Sequence, residues 1–162
     1  MYQTTPNKNN NLHIALRIPL CLALFSWGLL HSAIVNAQYE DISVSKVISV
    51  YDGDTFRADL TGYPDIIGKS IPIRLNGIDT PEVRGQCPKE KELALEAREA
   101  LTRLLFRAND IKLKNVRRGK YFRIVADVYI KGVNASHYMV QHGYATRYSG
   151  NAKKDSWCAS QK

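Results

Sequence analysis

No stretch of the 162 residues crosses a bilayer comfortably. The most apolar run, IPLCLALFSWGLL (Ile18–Leu30), is about thirteen residues long where a span takes about twenty. Acid is absent from residues 1–17, whose only charges are Lys8 and Arg17. A basic start, a short apolar run and the small-residue ending HSAIVNA, with Val35 and Ala37 at positions −3 and −1, read as a signal peptide cleaved after Ala37. The alternative is an uncleaved anchor. Cysteine is scarce, three in all, and Cys21 would leave with that leader. Cys87 and Cys158 remain, and an exported protein meets oxidising conditions, so one disulfide is expected rather than two free thiols. There is no internal repeat and no low-complexity linker, which leaves one domain, residues 38–162, large enough to bury a core.

What the chain does have is positive charge, a formal net of +8 that falls by two without Lys8 and Arg17. Such a surplus attracts phosphates from a distance and points to nucleic acid as a partner, with generic solubility as the plainer reading.

The patterning predicts three strands, a helix, two strands and a helix. ISVSKVISVY (42–51) is rich in β-branched residues. The Asp52–Gly53 pair, with Gly53 supplying a positive φ, turns it into TFRADL (55–60), where Phe56, Ala58 and Leu60 alternate with polar neighbours. After a loop with Gly62, Pro64 and Gly68, IPIRLNGI (71–78) places Ile71, Ile73 and Leu75 on one face and Arg74 on the other. Pro88 opens a helix with Glu90 and Glu92 in its first turns. Leu93, Ala97, Ala100, Leu101, Leu104 and Ala108 form its buried stripe, and Asn109–Asp110 ends it. IKLKNV (111–116) and YFRIVADVYI (121–130) follow as strands, the second with Phe122, Ile124, Ala126, Val128 and Ile130 on one face and Arg123 on the other. A second helix, 135–142, stops at Gly143. This order suits an α+β fold, a small antiparallel five-stranded OB-type barrel with two helices, or else an open sheet.

Two acidic stretches stand out in a basic chain. YDGDTFR (51–57) holds Asp52 and Asp54, and IRLNGIDTPE (73–82) holds Arg74, Asp79, Thr80 and Glu82. Asp52 is explained by the turn; Asp54 is not. Asp54 and Asp79 with the Thr80 carbonyl would make a sparse oxygen site for a hard cation such as calcium, open to water and a phosphate oxygen. Glu82 is near enough to orient or deprotonate a water. Arg74 and Arg123 have the planar fork that grips phosphate, although Arg123 could instead pair with Asp127 or Asp110. Tyr121 could donate to a phosphate or simply close the strand. Taken singly, each of these acids is more readily a turn or solvated residue.

YDGDTFR, IRLNGIDTPE and KYFRIVADVYI, in that order around one helix, together resemble the staphylococcal-nuclease-like (thermonuclease) family over about residues 43–148. The resemblance implies an OB barrel with helices and calcium-dependent hydrolysis of DNA and RNA, with cleavage at the 5′ oxygen leaving 3′-phosphate ends. It implies calcium carboxylates at Asp54 and Asp79, a carbonyl ligand at Thr80 and a further acid beside the metal at Asp52. Glu82 falls where the family has its general base, Arg74 and Arg123 where it has phosphate-binding arginines, and Tyr121 where a tyrosine contacts the substrate phosphate. Phe122 departs from the pattern, standing where a glycine is common. After Arg147 a polar, irregular tail is expected, with the family's long C-terminal helix missing or replaced by it and a Cys87–Cys158 bond taking over the tethering.

The expectation is therefore an exported (periplasmic or secreted) monomeric nuclease that prefers single strands, because an OB groove can stack unpaired bases. No stable protein partner is implied, and the membrane is met only through the signal peptide. Two other readings compete: a noncatalytic OB-type module that binds nucleic acid or protein, and a membrane-anchored structural domain.

Overall fold

The computed structural model describes residues 40–150, 157 and 158, all within the compact unit Gln38–Lys162. The expected signal peptide and cleavage point, and most of the tail beyond Gly150, lie outside the described residues.

Strand β1 (Ile42–Val50) pairs antiparallel with β2 (Thr55–Leu60), and β2 with β3 (Ile71–Leu75). Later in the chain β5 (Ile111–Arg118) pairs with β6 (Ile124–Ile130) and with β1. Closure comes from a pair between β3 and β6 that is parallel, with Ile73 opposite Ile124 and Leu75 opposite Ala126. The five-stranded barrel is thus mixed, not wholly antiparallel as expected. The OB-type assignment stands, and alternation alone could not show the direction of that closing pair. Two register shifts between β1 and β2, after Val44 and after Val47, add the coiling that closure needs.

Phe56, Ala58, Ile73, Leu75, Leu113, Ala126 and Val128 fill the barrel. Helix α2 (Pro88–Phe106) packs on this core with Ala97, Ala100, Leu101 and Leu105, and Ala94 is buried on the same helix. Leu93, Leu104 and Ala108, expected in its stripe, are only partly buried. The sequence offers apolar neighbours at 93/94 and 104/105, and packing chose the later of each pair. Helix α3 (Ala135–Gln141) adds Ala135 and Met139. Gly143 follows α3 with φ +76°, the left-handed position that glycine fills without strain.

Three local expectations change. The loop after β2 contains a four-residue helix, α1 (Asp65–Gly68), so three helices are described rather than two. The last barrel strand begins at Ile124, because Lys120–Phe122 form a 3-10 turn; Phe122 leaves the apolar row and is 85% exposed. Gly53 does not adopt a positive φ. A Cβ there would lie 2.7 Å from Ala97 Cβ and 2.9 Å from Thr80 Cγ2, so glycine is required by the closeness of α2 and the Thr80 loop.

Candidate active site

The turn between β1 and β2 is drawn tight by Thr55, whose carbonyl accepts from Tyr51 N (2.9 Å) and Asp52 N (3.4 Å). Asp52 Oδ1 accepts from Asp54 N at 3.1 Å, a local turn bond that directs the carboxylate forward onto the backbone two residues on. Asp54 then sits at the start of β2. Its carbonyl accepts from Leu75 N (2.8 Å), and Thr55 lies opposite Arg74 in the β2–β3 register. The register therefore sets Asp54 beside Arg74. Arg74 Nη1 donates to Asp54 Oδ1 at 2.6 Å, while Nη2 donates to the Ile78 carbonyl (3.3 Å) and to Asp79 Oδ1 (3.4 Å).

Asp79 is carried by β4 (Ile78–Asp79), which pairs with β8 (Thr146–Arg147). Tyr148 N closes the same patch on the Gly77 carbonyl at 2.9 Å. Asp52, Asp54, Asp79 and Thr80 are all buried. Burial, followed by the charge of Asp52, pushes the Asp54 carboxyl up to about 7 from an ordinary 3.8, against the opposing pull of Arg74 and the Thr55 hydroxyl. Arg74 alone thus leaves this carboxylate under-compensated.

The donor set suits a hard cation: carboxylate and carbonyl oxygens, with negative charge in excess. Among the described residues, the one trio of His, Cys, Asp or Glu ligand atoms drawn within 4.8 Å of one another is Cys87, Glu90 and Cys158. Its two sulfurs are joined as a disulfide, as expected from the cysteine count, so it is no metal centre.

Glu82 lies in the loop between β4 and α2, and Glu90 holds that loop. The Glu90 side chain is buried, with Oε1 accepting from Glu82 N (3.3 Å) and Oε2 from Gln86 N (2.9 Å). A Cβ on Gly85 would come within 2.5 Å of the Glu90 carboxyl carbon, so the loop closes around this carboxylate only with glycine there. Cys87 caps the helix, accepting from Glu90 N at 3.4 Å, and its partner Cys158 brings Glu90 Oε2 within 3.7 Å of the second sulfur. The sequence placed Glu90 in a first helical turn, near the positive end of the dipole; nothing local announces the loop folding over it.

Arg74, Asp79, Glu82 and Arg123 line one open groove of about 790 Å³. Asp52, Tyr51 and Tyr148 share it, with Arg117, Arg118 and Lys120 along the other wall. The β5–β6 register shift between Lys114 and Arg117 falls where Asn115 takes φ +50°, just before these two arginines. Asp127 is taken up by Asn76 (2.9 Å) and Asn115 (2.7 Å), not by Arg123. Arg123 instead lies with its Cζ 5.8 Å from the Tyr121 ring centroid, and its buried Nε has no hydrogen-bond partner among the described residues. Of the expected residues, Asp54, Asp79 and Arg74 meet directly; Glu82 and Arg123 join them across the groove. Tyr121 is exposed beside Arg123, in a neighbouring hollow.

Residues 72–161 match the family described as staphylococcal nuclease homologue. The chain belongs to this family. The matched stretch includes Arg74, Asp79, Thr80, Glu82, Tyr121 and Arg123, while Asp52 and Asp54 precede it. Among similar proteins, the probable endonuclease lcl3 of Emericella nidulans is 32% identical over 135 residues, covering 66% of this chain and 48% of that protein. The counterpart of the same name in Aspergillus fumigatus is 32% identical over 132 residues, covering 65% and 44%. An uncharacterized endonuclease of Haemophilus influenzae is 28% identical over 120 residues, covering 74% and 61%. The chain therefore spans about half the length of the curated relatives it matches.

Proposed function

We propose that the protein is an exported, calcium-dependent, sugar-nonspecific endonuclease that hydrolyses phosphodiester bonds in DNA and RNA, prefers single strands and works as a monomer. The observation that carries this reading is the Nε of Arg123, buried and without a hydrogen-bond partner among the described residues, in the same groove as Asp79 and Glu82. A donor without an acceptor is costly in a protein interior, and a phosphate oxygen would satisfy it.

Asp54, Asp79 and the Thr80 carbonyl hold the cation, with Asp52 adding negative charge behind Asp54. Bound there, calcium supplies charge neutralisation at a non-bridging phosphate oxygen. Arg123 donates to the phosphate, and Arg74 reaches it by exchanging one carboxylate partner for a phosphate oxygen. Tyr121 adds a phenolic donor. Glu82, held by Glu90, orients a water and takes its proton as the oxygen bonds to phosphorus. The bond to the 5′ oxygen breaks in line, that oxygen leaves with a proton from solvent, and a 3′-phosphate end remains. Charge building on the phosphorus oxygens strengthens the arginine bonds toward the transition state.

The test is release of acid-soluble nucleotides from denatured DNA and from RNA by the purified protein, in calcium and in EGTA. Release in calcium that EGTA abolishes, and that Glu82→Ala lacks, is expected. No release by folded, oxidised protein would favour the noncatalytic binding module. Export is supported by the Cys87–Cys158 bond, which fits an oxidising compartment. Mass spectrometry of the protein recovered outside the cytoplasm should find an N-terminus at Gln38; finding residues 1–37 attached would favour the anchor.

A further inference from the structure

The turn between β5 and β6 holds two bulky residues in a conformation that suits neither. Tyr121 and Phe122 have φ of +56° and +58°. In this left-handed region a Cβ is crowded, and non-glycine residues there are held against strain. Burial does not explain them, since the two rings are 83% and 85% exposed. Glycine would take the same backbone freely and expose no apolar surface. The fold gains nothing visible from a phenylalanine at this point, and strain of this kind gathers where a ligand is met.

The surroundings say which ligand. Arg118 Nη1 donates to the Phe122 carbonyl at 3.2 Å, Lys120 precedes the pair, and Arg123 follows with its unpartnered Nε. Tyr121 also lines a second hollow of about 360 Å³, which shares Tyr51 and Arg123 with the larger groove. Exposed aromatic faces set along a cationic track are the two components of single-strand binding: cations follow the phosphates and rings take the bases. A base inside a duplex keeps both faces covered by its neighbours and has none to offer.

We propose that Phe122, with Tyr121, is a stacking platform for an unpaired nucleobase adjoining the phosphate that Arg123 grips, and so selects single strands. The proposal rests on the nucleic-acid substrate argued above, but not on hydrolysis.

Two short labelled strands of equal length separate base from phosphate contacts: an oligothymidylate and its abasic counterpart, both bound in EDTA so that cleavage does not interfere. The parent protein should prefer the oligothymidylate. Phe122→Gly should melt no lower than the parent, since it relieves the backbone, yet bind oligothymidylate about five- to a hundredfold more weakly. Its affinity for the abasic strand should not change, and Phe122→Trp should bind oligothymidylate as the parent does. Unchanged affinity in Phe122→Gly, or an equal loss on both strands, overturns the platform. So does a parent that binds the two strands alike, whatever it cleaves. Base-dependent binding that Phe122→Gly loses, in a protein that hydrolyses nothing in any metal, supports the platform and sinks the nuclease reading instead.

Discussion

The two walls of the groove are built on opposite terms. On the acidic wall, Asp54, Asp79 and Arg74 are cross-bonded and set by strand register, and Glu90 fastens the adjoining loop from inside. On the basic wall, Lys120 and Arg123 flank a strained turn whose two rings are exposed, and the buried Arg123 Nε has no hydrogen-bond partner among the described residues. The first wall is part of the fold, so its residues bear on stability whatever else they do. The second is bonded to the fold far less, which is where the proposed phosphate contact would fall. Substitutions on the two walls should therefore separate stability from activity.

The sharpest way to break that contrast is to remove one arginine from each wall. Arg123→Ala should slow hydrolysis of single-stranded DNA by about a hundred- to a thousandfold, with little change in melting temperature. Arg74→Ala should also lose hydrolysis, and in addition about 3 kcal/mol of stability, because it strips the cation from two buried acids. Melts and rates measured side by side decide it, and equal losses of melting temperature would erase the distinction.

The disulfide comes next. Cys87 and Cys158 are 71 residues apart, and closing such a loop restricts the unfolded chain by roughly 4 kcal/mol. Reduction, or Cys158→Ser, should lower the melting temperature. Amide exchange should speed up first in the Glu82–Cys87 loop and leave the Lys120–Arg123 turn as it was.

A smaller effect follows from Asp54. Its carboxyl titrates at about 7 in the native protein and near 3.8 unfolded, so between these pH values the native state holds the extra proton. Stability of the cation-free protein should therefore fall as pH rises from about 4 to about 7 and level off above that. Urea melts at pH 5 and pH 8 in EDTA should show this fall, and Asp54→Asn should flatten it. Calcium should stabilise the parent more at pH 8 than at pH 5. A parent and Asp54→Asn with the same pH slope would count against an under-compensated acid at this position.

Glu90→Gln keeps the shape of the loop brace but replaces one of its two acceptor oxygens with a donor. A penalty of about 1–3 kcal/mol is expected, together with a lower kcat at unchanged KM, since Glu82 would be misplaced without a loss of phosphate contacts. A KM effect alone would place Glu90 on the binding side instead. Of similar size in stability but with no expected change in kcat or KM, Gly53→Ala should cost about 1–3 kcal/mol through its clash with Ala97 and Thr80, visible as a lower midpoint in urea.

Much of this architecture was legible one segment at a time. β2 begins and ends where TFRADL does, α2 starts at Pro88, and Gly143 closes α3, because alternation, first-turn proline and C-terminal glycine act over a few residues. The failures share a cause. Phe122 continued the alternation of its strand on paper, yet the chain turns there and exposes it. Gly53 read as a turn glycine, and its reason turned out to be a helix from elsewhere in the chain. Glu90 read as a first-turn acid at the helix dipole, and its carboxylate also holds the loop that precedes the helix.

By itself, then, the sequence determined where most of the barrel strands and the two longer helices lie, the pairing of Cys87 with Cys158, and the presence of acids and arginines in three recognisable stretches. Only the tertiary structure decided that Asp54, twenty residues before Arg74, would share its guanidinium with Asp79, and that Arg123 would keep a buried nitrogen without a partner. Local preference is set by steric and hydrogen-bonding terms that reach a turn or two along the chain. Which side chains converge depends on how the barrel closes, and here the parallel β3–β6 pair sets Arg74 opposite Val125, two residues from Arg123.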